Sequence, residues 1–379
     1  MPRSAAAFGA ATPLPDNFHA ASSAPLLDGA VADVPTRAPG EHLAPLVSLD
    51  DYEAAAHARL EPTVWEFIAS GAADERTLRW NREAFEQLRL APRAFVDVSR
   101  IDTRTTILGH ELAAPLLIAP TACHRLVHPE AELATARAAR EAGVGMVLSS
   151  FTTVPVEEVA RVGPRPLWFQ LYVQDRGFTK ELVQRVSAVG CSALCVTVDT
   201  PGLGVRNRQA RAGFTFPVGL PHLQPGRPFG LYPVTWKDLE WLRGVSPVPV
   251  IPKGILDPQD ADQAVTAGVA AIYVSNHGAR NLDTVPATID VLPRIVDRVA
   301  GRVPILFDGG VRRGTDILKA LAYGAGAALV GRPILYGLAV DGAAGVANVV
   351  AILRHELESS MALTGRPSLA SIDRTVLWS

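Results

Sequence analysis

The pattern of hydrophobic and polar positions changes character along the chain. Residues 1–46 are rich in Ala and Pro and show neither helical nor strand periodicity, so they read as a disordered or loosely attached tail. From Ser48 the period becomes helical. Leu49-Asp50-Asp51-Tyr52-Glu53 opens one amphipathic segment and Pro62 to Ile68 opens another that ends near Gly71, predicting N-terminal helices packed outside a main domain. Thr105 to Leu112 reads as a short hairpin turning at Gly109.

Beyond the hairpin, short apolar runs without alternation recur between helical segments. They are Pro115–Ile118, Gly145–Leu148, Pro166–Leu171, Ala193–Val198, Val248–Ile251, Ala271–Val274, Val303–Phe307 and Ala327–Val330. Between them lie periodic stretches such as Glu130–Ala142, Pro155–Val162, Thr179–Val189, Pro258–Ala267, Ile289–Val299 and Arg313–Tyr323. Unalternating strands separated by helices mean a parallel sheet covered on both faces. Eight such units predict an α/β fold, a closed (β/α)8 TIM barrel occupying residues 47–379. The connection over about 201–247, with Pro217, Pro221, Pro225, Pro228 and Pro233, is out of proportion to the others and reads as a lid after strand four.

Composition narrows the partners. With 379 residues, 48% hydrophobic and 20% charged, the chain is long enough for one barrel or two smaller domains, and the alternation above selects the barrel. A formal net charge of −2 with interspersed signs gives no reason to expect nucleic acid or an anionic membrane as partner. No apolar run approaches the roughly 20 residues that span a bilayer, and the Ala-rich start is too short for a secretory core, so a cytoplasmic location is expected. Cys123, Cys191 and Cys195 form no metal-type cluster with histidine and suit a reducing compartment; no metal site is expected.

In a barrel the chemistry belongs just beyond the strand ends, because the interior is packed and only that face is free to vary. The residues there are Ala119-Pro120-Thr121-Ala122, Ser149-Ser150-Phe151, Gln170-Leu171-Tyr172, Thr197-Val198-Asp199, Lys253, Ser275-Asn276-His277 with Arg280, Asp308-Gly309-Gly310 with Arg312, and Gly331-Arg332. His277 and Arg280 pair a group that titrates near neutrality with a rigid fork matched to a carboxylate, which suits proton abstraction from a bound acid; alone, they read equally as polar loop residues. The two glycines, Arg312, and Arg332 ahead of a helix start fit a phosphate site after strands seven and eight. Asp308 beside a phosphate suits a ribityl hydroxyl better. Lys253 closes an apolar run and either meets an electron-rich flavin ring or snorkels outward. Asp199 either orients the His277 imidazole or caps its loop. Arg206 offers a second cation, Tyr172 either donates its phenolic proton or packs, and Arg208 and Arg211 read as solvated. His124, His128, His222 and His355 show no identifiable partner.

In order and spacing these motifs resemble the FMN-dependent α-hydroxy acid oxidases and dehydrogenases, the group of glycolate oxidase and lactate oxidase. The likeness runs from about residue 48 to the end. It rests on Ala119-Pro-Thr-Ala122, His128-Pro-Glu130 with Ala134-Thr-Ala-Arg137, Phe169-Gln-Leu-Tyr172, Thr197-Val-Asp199, Ser275-Asn-His-Gly-Ala-Arg280, Asp308-Gly-Gly-Val-Arg-Arg-Gly314 and Gly331-Arg-Pro333. The resemblance implies that His277 is the base and Asp199 its partner. It makes Arg206 and Arg280 a carboxylate clamp and Tyr172 an active-site phenol. Lys253 faces the flavin pyrimidine. It implies FMN held by Ala119, Pro120, Thr121, Ser149, Gln170, Thr197, Lys253, Ser275, Asp308, Gly309, Gly310, Arg312, Gly331 and Arg332, and a homo-oligomer, a tetramer or octamer.

Two positions depart from the family pattern: Phe67 where a helix usually supplies a tyrosine to the substrate carboxylate, and Phe151 where tryptophan or tyrosine is common. Both make the pocket more apolar. The expected reaction is oxidation of an L-2-hydroxy acid larger or more apolar than glycolate or lactate, with O2 as electron acceptor. The alternatives are a dehydrogenase using another carrier, a related enzyme of amino or derivatised acids, and an FMN-binding barrel isomerase.

Overall fold

The apolar runs form eight parallel strands: β3 (Leu116–Ile118), β4 (Gly145–Ser149), β5 (Leu167–Leu171), β6 (Leu194–Thr197), β7 (Val250–Ile255), β8 (Ile272–Val274), β9 (Ile305–Phe307) and β10 (Ala327–Val330). They follow a two-stranded hairpin, β1 (Thr105–Ile107) and β2 (His110–Leu112). β10 pairs with β3, closing the barrel in the order β10-β3-β4-β5-β6-β7-β8-β9. This computed structural model describes residues 46–224 and 232–378. The expected N-terminal tail lies outside the described residues but for Leu46, as do Pro225 and Pro228 of the expected lid.

Alternate side chains of each strand point to opposite faces, so one strand feeds two cores. Leu117, Val147, Trp168, Cys195, Ile251, Tyr273, Leu306 and Leu329 make a buried cluster of their own, which Ile107 and Leu112 of the hairpin join. The other strand positions belong to the larger core shared with the helices. Cys123, Cys191 and Cys195 are buried free thiols.

Helices α4 (Ala131–Glu141), α5 (Val156–Val162), α6 (Arg176–Ala188), α9 (Pro258–Thr266), α10 (Thr288–Val299) and α11 (Gly314–Ala322) follow their strands as the periodicity predicts. The 201–247 connection differs from its reading as one irregular lid. It contains α7 (Asn207–Arg211) and α8 (Trp236–Val245), and α8 occupies the place of a barrel helix. Thr235 and Asp238 form a capping box at its start, a signal masked by the surrounding prolines. Arg176 joins α8 to α6, pairing with Asp238 at 3.0 Å and lying over the Trp241 ring.

The last element, α12 (Arg332–Leu363), corrects the statement that no apolar run approaches membrane-spanning length. Its mean hydropathy over 18 residues is 1.6, but 67% of that window is buried inside the fold. Asp341 and Gly342 interrupt it with non-helical backbone. This is a core helix, packed on α4, α11 and α1 (Leu49–Arg59).

The N-terminal helices also sit differently from expectation. α2 (Pro62–Ala69) and α3 (Arg76–Gln87) are not mere outer packing; Phe67 and Ile68 of α2 reach the cavity at the C-terminal ends of the strands.

Candidate active site

A cavity opens where β3 to β10 end. Its walls include Ala119, Pro120, Thr121, Ser149, Gln170, Thr197, Lys253, Asp308, Gly309, Gly310, Arg312, Gly331 and Arg332 on one side, and Phe67, Phe151, Tyr172, Arg206, His277 and Arg280 on the other. These strand-end residues come together because each follows a buried strand that fixes its exit point. Asp199 and Ser275 stand just behind the wall. Ser275 Oγ accepts from the His277 amide at 3.1 Å, and Asp199 Oδ1 lies 2.9 Å from His277 Nδ1.

That last contact sets the state of the imidazole. With Nδ1–H donating to Asp199, Nε2 keeps its lone pair and faces the Tyr172 hydroxyl at 3.3 Å. Burial is the strongest influence on His277 and lowers its pKa. Asp199 opposes this, Lys253 and Arg206 add to it, and the net is a pKa below the ordinary histidine value. Burial pushes the Asp199 carboxyl the other way, but the neighbouring His277 and Lys253 and hydrogen bonds from His277 and Thr200 outweigh it and hold the group at about 2. At neutral pH the pair is therefore a carboxylate beside a neutral imidazole whose free nitrogen points into the cavity.

Three arginines, Arg206, Arg280 and Arg332, line the same cavity. Arg280 Nη1 donates to Ser70 O at 2.7 Å and to Ile68 O at 3.3 Å, and Arg332 donates from Nε to Ile68 O and from Nη2 to Ser70 O, at 2.9 and 3.0 Å. Both thus lean on the carbonyl end of α2, the negative end of its dipole. Arg206 Nε donates to Arg280 O at 3.1 Å. Among the described residues none of the three is ion-paired with a carboxylate. Burial, followed by Arg206 and Arg332, lowers the Arg280 pKa well below its usual range. Such a cluster favours an incoming anion.

Around the acid site the walls are aromatic. Phe67 stacks on Phe214 with centroids 4.3 Å apart and meets Phe216 edge-on at 5.2 Å; Phe151 lies 5.8 Å from Phe216 and 5.3 Å from Tyr172. The Arg280 guanidinium sits 5.4 Å from the Phe67 ring centroid.

The opposite half fits FMN. Asp308 Oδ2 accepts from Tyr273 at 2.7 Å, while its buried Oδ1 has no hydrogen-bond partner, as a carboxylate awaiting a hydroxyl donor would. Arg312 Nε is likewise buried without a hydrogen bond, 3.7 Å from Glu53. Arg332 and the N-terminus of α12 add positive charge beside it. Ser149, Gln170 and Thr197 are linked to one another, Ser149 Oγ donating to Gln170 Oε1 at 3.0 Å and Gln170 Nε2 to Thr197 Oγ1 at 2.8 Å. The glycines after β9 line the cavity and are also packed tightly by protein: a Cβ on Gly309 would strike Thr288 and one on Gly310 would lie 1.9 Å from Asn81 O.

Other residues escaped the sequence. Thr200, Leu203 and Phe216 line the cavity, and Asn281 Nδ2 donates to Asp199 Oδ1 and Thr200 Oγ1 at 3.1 and 2.7 Å. For Thr200, Leu203 and Asn281 only their closeness to Asp199 and Arg280 in the chain hinted at this. Arg208, read as solvated, pairs with Glu66 and Glu75. His124 has partners after all, its ring bridging Thr121 and Thr135 at 2.7 and 3.0 Å, and His222 Nε2 accepts from Val156 N. His128 Nδ1 accepts from Glu130 N.

Comparison with known proteins agrees with this geometry. The sequence matches the FMN-dependent dehydrogenase family over residues 56–379. It is 49% identical to an L-lactate oxidase of Nostoc sp., over 87% of this chain and 98% of that protein. It is 44% identical to glycolate oxidase of Spinacia oleracea, over 87% and 95%. Among solved structures, mandelate oxidase with (S)-2-phenylpropionate superposes with a TM-score of 0.83 at 41% identity, over 88% of this chain and 98% of that one.

Proposed function

The chain belongs to the FMN-dependent dehydrogenase family, and from that premise we propose that it oxidises an L-2-hydroxy acid to the 2-oxo acid, with O2 as the final acceptor. FMN, when bound, supplies the acceptor for the two electrons that leave the substrate carbon. Arg312, Arg332 and the start of α12 would hold its phosphate, Asp308 Oδ1 a ribityl hydroxyl, and Lys253 with Gln170 would border its ring.

The chain's own residues do the rest. Arg206 and Arg280 bind the substrate carboxylate, which relieves the repulsion between their buried charges. That fixes the α-carbon and hydroxyl beside His277 Nε2, which takes the proton. Asp199 stabilises the imidazolium that results and holds the ring's aim. The Tyr172 hydroxyl keeps its proton and donates a hydrogen bond to a substrate oxygen. The aromatic walls exclude water and present an apolar surface to the substrate side chain, which favours an acid larger than glycolate or lactate.

The observation carrying this reading is His277, its Nδ1 backed by Asp199, facing a cavity flanked by two arginines that, among the described residues, form no ion pair with a carboxylate. Its test is anaerobic mixing of the holoenzyme with a panel of aliphatic, aryl and amino acids of the 2-hydroxy and 2-amino series, followed by air. Bleaching of the flavin by a 2-hydroxy acid and rapid recovery in air is the expected result. A flavin that no acid reduces defeats the proposal, and one that recovers only with an added dye defeats the assignment of O2.

A further inference from the structure

The loop that carries His277 is held in an unusual conformation. His277, Gly278 and Ala279 have φ of 58°, 60° and 60°, three successive left-handed residues of which only one is glycine. Residues with a Cβ take that region at a steric cost, so such a turn persists only where its surroundings impose it.

The surroundings here are α3. Asn81 Nδ2 donates to Asn276 Oδ1 at 3.0 Å, and Asn276 Nδ2 donates back to Asn81 Oδ1 at 2.8 Å. Both side chains are buried. The pair's remaining capacity ties down the neighbouring loops. Ala279 N donates to Asn276 Oδ1 at 3.1 Å and closes the left-handed turn on itself, while Asn276 Nδ2 also reaches Pro286 O and Thr288 N reaches Asn81 Oδ1. The far side of the turn is fastened too, Ala279 O accepting from Ala72 N at 2.8 Å. On its other face the Asn81 carbonyl abuts Gly310, in the loop beside the phosphate end of the cavity. One residue of an N-terminal helix thus touches both the loop of the base and the loop of the cofactor.

We propose that Asn81 is a positioning residue. Through Asn276 it imposes the left-handed turn at 277–279 and so sets the aim of His277 and Arg280 against the cofactor loop. The choice of amide follows from the chemistry, since an amide both donates and accepts. A carboxylate there would lack the donor for Asn276 Oδ1 and would add charge near His277. The inference rests on the role proposed for His277 above.

The test compares wild-type and Asn81→Ala holoenzyme. Anaerobic flavin reduction by the acid that reduces the wild type fastest should slow by at least about tenfold and need more acid to saturate, because a misaimed base and clamp cost rate and affinity together. FMN affinity should stay within about threefold, because the Asn81 backbone against Gly310 is unchanged. Ala279→Gly placed on Asn81→Ala should return part of the lost rate, since glycine adopts the turn without support. Reduction at the wild-type rate, or FMN affinity falling in step with the rate, would overturn the proposal. Amide hydrogen exchange of residues 275–281 reads the same device without catalysis: it should quicken in the variant, and unchanged protection overturns the inference even if no acid reduces the wild type. If Asn81→Ala does not fold, Asn81→Asp, which keeps the acceptor half, carries both measurements.

Discussion

Gly254 faces Asp199 with no room between them: a β-carbon built on Gly254 would lie 2.4 Å from Asp199 Cβ and 2.6 Å from its Oδ2. Gly254 has φ of 110° and sits at the register shift of β7, between Lys253 and Ile255. The carboxylate behind His277 is seated in the space this glycine leaves. Gly254→Ala is expected to push Asp199 away from His277 Nδ1 and to slow anaerobic flavin reduction by about 10²-fold or more, with FMN retained. A variant that reduces at the wild-type rate would show that Asp199 does not need that seat.

His277→Ala should leave FMN bound and cut flavin reduction by about 10²- to 10⁴-fold, the usual worth of a positioned base. Stopped-flow absorbance under nitrogen is the measurement. Near-normal reduction would remove His277 from the reaction.

The pH dependence follows from the same ring. A base works only when unprotonated, so rate is lost as pH falls through the His277 pKa. Burial places that value below the ordinary one, aided by Lys253 and Arg206 and opposed by Asp199. The acidic limb of the reduction rate should therefore have its midpoint below about pH 6.5. Lys253→Met removes a positive neighbour and should move the limb to higher pH, whereas Lys253→Arg should not. A limb that ignores both changes belongs to another group.

Phe67→Tyr adds a hydroxyl beside the Arg280 guanidinium. A hydrogen bond to a charged carboxylate contributes roughly 1.5–3 kcal/mol, so glycolate and lactate should bind about ten- to a hundredfold more tightly. Saturation of the reduction rate with each acid reads this out. Unchanged affinity would place the ring edge away from the carboxylate.

Most of the barrel was legible because parallel strands buried on both faces announce themselves as unbroken apolar runs, and the site then lies at their ends. What stayed hidden was contact between positions remote in sequence. Nothing local marks Asn81 as the partner of Asn276, or Tyr273, an interior strand residue, as the donor to Asp308. Arg208 carries no sign of Glu66 and Glu75 either, nor His124 of Thr135, since those partners lie on other elements. Helix α8 was obscured for a different reason, its cap being embedded in a proline-rich stretch that suppresses periodicity.

Phe67, Phe151, Phe214 and Phe216 come from α2, the end of β4 and the connection after β6, yet their rings touch in sequence, one against the next. Substitutions at touching residues do not combine additively. A change at any one of them alters the seat of the rings it touches, so scanning the pocket one position at a time will misjudge which acids it can be taught to accept. Retraining its selectivity calls for libraries that vary the four rings jointly.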